Sequence, residues 1–350
     1  MKSEPRQVQT LYIFLFFSIC LVGLFYVKWM PYWHRGTLAA STHSIGSSIL
    51  MGGAASPPKA SWQAAISYGL AYGKAIWQAM VLGLLLGSGV QALLPGKWIL
   101  RHLGKANFGS VAWGALLAIP GMMCTCCAAP VVAGLRRVHA SAGAAVAFWL
   151  GNSVLNPATL VFIGFVLGWH WAMLRLFFGL IAVIGLGFIA NTFSSRNDQA
   201  DIEREMVDLA GDLPVSEPFR RWMDILGRMI LRLLPEYVVL VLLLGAARVW
   251  LFPHAGPDID NSLLWIIAFA IAGTLFVIPT AGEVPIIQAM LALGVGAGPA
   301  GALLLVLPPI SVPSLALVSR SFEARTLVAV SIGIVATGIA AGLAAVALGL

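Results

Sequence analysis

Charge is scarce in this chain. Its 21 lysines and arginines and 14 acids make up only 10% of 350 residues, against about 25% in an average soluble domain. That shortage, with a hydrophobic content of 59%, excludes an ordinary water-soluble fold. Cysteine is sparse too: of four, three (Cys124, Cys126 and Cys127) crowd into one short run. Such spacing cannot staple loops together, so it is no disulfide framework. A Walker A sequence, Gly-x-Ser-x-Gly and His-Glu-x-x-His are all missing. The chain therefore carries no ATPase of its own, and an enzyme reading has no constellation behind it. No cofactor is expected.

What the sequence has is long apolar runs. They lie near residues 11–29, 72–95, 108–134, 140–168, 171–193, 224–251, 262–278, 285–319 and 326–348, and several reach the ~20 residues that cross a bilayer. The expected fold is an all-α polytopic membrane protein: an N-terminal transmembrane helix followed by two inverted-topology repeats with Pro-broken or re-entrant helices around a central site. The net charge of +7 then reflects Lys and Arg gathered in cytoplasmic loops, and no nucleic-acid partner is implied. Lys97, Arg101 and Lys105 put the loop 96–107 in the cytoplasm, and the polar stretch 194–223, with seven of the 14 acids, joins it there. Residues 30–70 and 253–258 fall outside, Arg320 and Arg325 inside, and the N-terminus is cytoplasmic. An uncleaved anchor is expected at the start, because the run Leu11–Trp29 is long for a signal peptide and no small-residue site follows it directly.

An internal repeat organises the rest. Pro130, Gly143, Ala145 and Ala147 precede Pro285, Gly298, Ala300 and Ala302 by one constant offset, and Asn156-Pro157 matches Ser311-Val312-Pro313 with one residue inserted. The charge pattern gives the halves opposite orientation, a recurrent plan of secondary transporters. The expected division is 1–71 for the anchor helix and external loop, 72–193 for the first repeat, 194–223 for the linker and 224–350 for the second repeat. Whether 108–168 holds three crossings or one crossing and a re-entrant hairpin stays open at this level.

Chemistry concentrates at the breaks. Pro120, Gly121 and Pro130 flank Cys124-Thr125-Cys126-Cys127, and non-helical backbone at membrane depth survives only where protein buries it or where it lines a cavity. Thiolates there suit soft acceptors such as trivalent arsenicals, Cu(I) or Zn(II), so Cys124, Cys126 and Cys127 are the candidate substrate or metal ligands; a single buried cysteine would be only a small hydrophobe. Glu283, beside Pro285, and Glu236 are the acids well inside apolar runs, and a membrane-depth carboxylate is a functional candidate by default. Glu283 is the candidate for proton coupling. Glu236 sits four residues after Arg232, which reads mainly as a helix-side ion pair and secondarily as a coupling site. Asn152, Asn156, Gln288 and Ser311 either line the site or satisfy backbone freed by Pro157 and Pro313. Arg136 and Arg137 face Leu291 and Ala292 in the alignment of the halves; they read as an interfacial anchor or as attractors for an anion.

The run Cys124-Thr125-Cys126-Cys127-Ala-Ala-Pro130-Val-Val-Ala-Gly134-Leu135-Arg136-Arg137, with Ala140–Ala144 and Asn156-Pro157, resembles the ArsP-like predicted permeases, and Gly282-Glu283-Val284-Pro285-Ile286-Ile287-Gln288-Ala289 is similar to that family's second signature. The resemblance spans about residues 72–348. It implies a bacterial inner-membrane permease, some of whose relatives export trivalent organoarsenicals through paired cysteines, with Cys124 and Cys126 in the place of that pair. Cys127 adds a thiol, which would suit inorganic As(III) or Sb(III) with three sulfurs, and Gly151-Asn152-Ser153 stands where many relatives have Ser-Pro. The expected function is a proton-coupled efflux permease for a thiophilic metalloid, an inorganic or organometalloid small molecule. The rivals are a membrane thiol–disulfide relay, or a permease for another soft metal or a small sulfur-containing or anionic solute.

Overall fold

The computed structural model describes residues 4–46, 61–93, 96–194, 218–251 and 256–350. Every element among them is helical. Most of the linker 194–223 and the core of the loop 253–258 lie outside the described residues.

The first helix is longer than the apolar run 11–29 suggested. α1 (Glu4–Leu24) passes through a π-helical turn, Phe25–Trp29, straight into α2 (Met30–Thr42), so the region expected to begin an external loop at residue 30 continues the helix instead. α2 stops at His43, whose left-handed φ of 53° ends the hydrogen-bond ladder. α3 (Trp62–Leu93) and α4 (Gly96–Leu103) follow.

Then comes the unit that builds the site. α5 (Phe108–Ala118) starts on an Asn107 cap that accepts from the Ser110 amide. It ends at Pro120-Gly121, in a short 3-10 turn and a left-handed Met122 at φ 47°. α6 (Thr125–Arg137) runs back, because the backbone at the end of α6 returns to the start of α5: the Ser141 amide donates to the Leu103 carbonyl at 2.7 Å. α7 (Ala142–Val154) lies beside α5 in the same sense, with Gly114 against Ala144 and Gly151 against Ala118. α8 (Pro157–Val166) continues it past the Asn156-Pro157 break, and α9 (Trp169–Phe193) returns. Thus 108–168 folds as a hairpin of short helices, α5 and α6, and one broken helix, α7–α8, long and apolar enough to cross a membrane, as in the one-crossing alternative left open above.

The second half repeats this element by element: α10 (Pro218–Leu251), α11 (Leu263–Leu275), α12 (Glu283–Ala292), α13 (Ala297–Val306), α14 (Val312–Val318) and α15 (Ala324–Ala347). Its hairpin base carries the same bond, Gly296 amide to Ile259 carbonyl at 2.8 Å. His139 (φ 68°) and Gly294 (φ 88°), the left-handed residues that close the returning limbs, are equivalents. So are the caps of α8 and α14, Asn156 and Ser311. Contacts between halves come in matched pairs: α6 meets α14 and α12 meets α8, while α3 packs on α10 and α9 on α15. α3 and α10 run antiparallel, since Gly69 faces Leu242, Tyr72 meets Tyr237 and Ser88 meets Trp222.

Among the described residues, six helical spans are long and apolar enough to cross a membrane: 14–42, 62–93, 142–166, 169–193, 219–247 and 324–347. The chain is a multi-pass membrane protein. In lipid, helices associate through close packing rather than a hydrophobic drive, so small residues mark the contacts. Gly83 and Gly87 on α3 show why. A Cβ on Gly83 would lie 2.1 Å from the Cys127 carbonyl oxygen, and one on Gly87 would lie 2.3 Å from that of Pro130. This pair lets α6 sit against α3 and fixes the depth of the cysteines.

Candidate functional site

The tips of the two hairpins, Gly121–Cys124 and Phe276–Gly282, meet in the interior. Neither tip is α-helical; the second has a turn bond from the Gly282 amide to the Pro279 carbonyl at 2.9 Å, and side chains hold much of the rest. Asn152 on α7 donates to the Phe148 carbonyl (2.9 Å) and accepts from the Met123 amide (3.4 Å), and the Trp149 indole donates to the Thr125 carbonyl (3.1 Å). From the N-terminal helix, the Trp29 indole donates to the Pro120 carbonyl at 2.9 Å. On the second tip, the Tyr68 hydroxyl donates to the Val277 carbonyl.

The cysteines divide. Cys124 stands at the N-cap position of α6 and its Sγ lies 2.9 Å from that of Cys127; both are free and buried. Cys126 faces elsewhere, 3.8 Å from the Ser311 hydroxyl and toward the hydroxyls of Tyr72 and Tyr237, which bond each other at 2.8 Å. The three-thiolate metal or metalloid site expected from the sequence is not formed. Residues three apart on a helix share a face, whereas residues two apart do not. Among the described residues, no group of three or more His, Cys, Asp or Glu is placed to hold a metal ion.

Glu283, the first residue of α12, shares with Cys124, Ser153 and Thr280 a cavity of about 10 Å³, room for a single water. The carboxylate is not solitary. Arg175 of α9, itself fully buried, donates to it at 2.5 Å. The same guanidinium donates to the carbonyls of Ser153 (2.7 Å) and Val154 (3.2 Å). Those carbonyls end α7, where Pro157 has no N–H to offer Ser153 and the Ala158 amide is taken by the Asn156 cap. Arg175 thus replaces two helix donors and binds the second hairpin to the α7–α8 break.

Lys28 is the second group that sequence reasoning passed over. It sits in the π-turn of the N-terminal helix, a feature frequent at functional sites, and is 5% exposed. Its Nζ lies 3.3 Å from the Thr280 hydroxyl and 3.4 Å from that of Tyr32, and Thr280 lines one small cavity with Cys124. The signal for Arg175 and Lys28 was in the sequence: an intramembrane cation deserves the same suspicion as an intramembrane acid.

The other candidates fall outside this centre or serve the backbone. Asn156 caps α8 through the Ala158 and Thr159 amides. Gln288 donates to the His43 carbonyl at 2.9 Å, tying α12 to the end of α2. Glu236 is partly exposed and its partner is Arg320, at 3.7 Å, instead of the expected Arg232. Arg136 is an anchor, bonded to the Ser321 and Ala140 carbonyls and lying over the Phe322 ring. Arg137 lines the mouth of a cavity of about 290 Å³ with Arg228, Arg232, Arg320, Gln91 and Ser321. Leu233 and Leu317 of that mouth also pack with Met80, Leu84, Pro130 and Tyr237 around an apolar gap too small for water.

Residues 62–346 match the model of a family described as a predicted permease, of the ArsP type. The chain is 48% identical to the UPF0718 protein YraQ of Escherichia coli (strain K12) over 334 residues, covering 93% of this chain and 94% of that protein. It is 22% identical to the UPF0718 protein MJ0584 of Methanocaldococcus jannaschii over 312 residues, 69% of this chain and 84% of that one. No solved structure matches.

Proposed function

Because the chain belongs to the ArsP-type predicted permease family, we propose that it is a secondary-active efflux permease for a thiophilic solute, captured where the two hairpin tips meet. The observation that carries this reading is the Cys124–Cys127 pair, two free thiols 2.9 Å apart at a buried helix break. Two sulfurs suit a trivalent organoarsenical or antimonial with two exchangeable positions. Each thiol would replace one metalloid-bound hydroxyl and release one water, with no change of oxidation state. Duplicated halves rocking about the site, in the inner membrane of a bacterium, would alternate its access. Arg175 already satisfies the Glu283 carboxylate, so we assign Glu283 to holding the second hairpin in register rather than to carrying a proton alone.

The test is export from cells sensitive to trivalent methylarsenite. Cys124→Ser and Cys127→Ser should each lose protection, while Cys126→Ser keeps most of it. If all three variants protect as well as the parent chain, the thiol reading fails.

The same 2.9 Å separation supports a second reading, a thiol–disulfide relay. There Cys124 and Cys127 would join as a disulfide, passing two electrons and two protons to an oxidised partner disulfide. Mass spectrometry of protein trapped at defined redox potentials discriminates: a mixed disulfide between this pair and a partner thiol is expected of the relay and not of the permease.

A further inference from the structure

The Lys28 ammonium lies 3.3 Å from the Thr280 hydroxyl and 3.4 Å from that of Tyr32, Thr280 lines one cavity with Cys124, and among the described residues no carboxylate pairs with Lys28. The nearby carboxylate, Glu283, is engaged by Arg175. A buried ammonium is costly unless a counter-charge meets it, so the centre is set up to receive negative charge. A second observation points the same way. A cavity mouth elsewhere in the bundle is lined by Arg137, Arg228, Arg232 and Arg320, and no carboxylate lines it among the described residues, although Glu236 pairs with Arg320 at 3.7 Å. The position corresponding to Arg137 in the other repeat holds Ala292, so this arginine is not duplicated.

We propose that the solute is an anionic thiophile, gathered by the four-arginine mouth and held in the centre with its negative group on the Lys28 ammonium and its soft atom at Cys124 and Cys127. Such a solute joins a thiol-seeking arsenic, antimony or sulfur atom to a carboxylate, sulfonate or oxyanion group. This rests on the thiol reading above and narrows its substrate class. Clefts lined by charge of one sign raise the arrival rate of opposite charge by about 10- to 1,000-fold, so the route should discriminate between thiol reagents by charge alone.

The experiment uses the full chain with Cys20→Ala, in phosphatidylcholine nanodiscs that leave both faces open. Two probes of similar size convert the remaining thiols to mixed disulfides, each releasing methanesulfinate: sulfonatoethyl methanethiosulfonate, an anion, and trimethylammonioethyl methanethiosulfonate, a cation. Rates are read by intact mass and normalised to each reagent's rate with free mercaptoethanol. The anion should be favoured at least about tenfold at low salt, and high salt should erode that preference. Arg228→Gln/Arg232→Gln/Arg320→Gln should bring the ratio toward one. Lys28→Met should lower it, and Lys28→Arg should restore it, which separates lost charge from lost folding. A ratio near one or favouring the cation in the parent chain overturns the proposal, as does failure of both reagents to reach the cysteines. The arginines would be a headgroup anchor instead if the triple variant kept the parent's ratio and lost only co-purifying phosphatidylglycerol; that too overturns it. Failure of the thiol reading shows elsewhere, in export by Cys124→Ser and Cys127→Ser, and leaves the charge ratio untouched.

Discussion

Replacing Arg175 by methionine removes one side chain and disconnects three groups. The Glu283 carboxylate loses its partner at 2.5 Å, and the Ser153 and Val154 carbonyls lose donors at 2.7 and 3.2 Å. Breaking a buried ion pair from one side costs about 3–5 kcal/mol, and each stranded carbonyl adds roughly 1–3 kcal/mol. Against a total stability of about 5–15 kcal/mol, Arg175→Met should leave little folded protein. Glu283→Gln is milder. Its amide oxygen still accepts from the guanidinium, so the loss should stay near ~3 kcal/mol. The double variant strands no charge and should be no less stable than Arg175→Met alone. Unfolding of the purified protein by SDS in mixed micelles, followed through tryptophan emission and helicity, supplies the four corners of this cycle. A double-variant loss equal to the sum of the single losses within ~0.5 kcal/mol would refute the pairing.

Gly83→Ala should fail to fold or elute as aggregate, because the new methyl meets the Cys127 carbonyl oxygen at 2.1 Å; Gly73→Ala on the same helix, where nothing lies within 4 Å, should behave as the parent in size-exclusion chromatography. Mild oxidation should link Cys124 to Cys127 before it touches Cys126, read by peptide mass spectrometry, since only that pair stands 2.9 Å apart. Trp29→Phe removes the donor to the Pro120 carbonyl and should cost about 0.5–1.5 kcal/mol, while making Cys124 react faster with a neutral thiol reagent.

Much of the scaffold could be read from apolar runs and from Pro and Gly. Pro120-Gly121, Asn156-Pro157 and Pro313 marked the breaks, and the constant offset between Pro130 and Pro285 carried into equivalent hairpins, caps and base hydrogen bonds. What periodicity could not show was the turn back at α5–α6, because a returning limb and a crossing have the same composition; the Ser141–Leu103 bond decides it. The site was half legible. Three neighbouring cysteines looked like one ligand set, yet helical geometry sends Cys126 away from the other two. Arg175 and Lys28 were overlooked for a definite reason. Each is one cation in an apolar run, and the carbonyls and hydroxyls it serves lie up to 252 residues away in sequence, where no local pattern reaches.

The N-terminal helix belongs to neither repeat and lies outside the span 62–346 matched by the family model, yet it delivers Lys28 to the centre and Trp29 to one tip. Two like halves give a solute no reason to prefer one journey over its reverse. A helix outside both halves, leaning on the first tip with an indole and on the second with an ammonium, adds to the inequality that cysteines confined to the first half already set. In the permease reading proposed above, directionality and solute preference would then be set through a few residues of a single peripheral helix, with the paired scaffold unchanged.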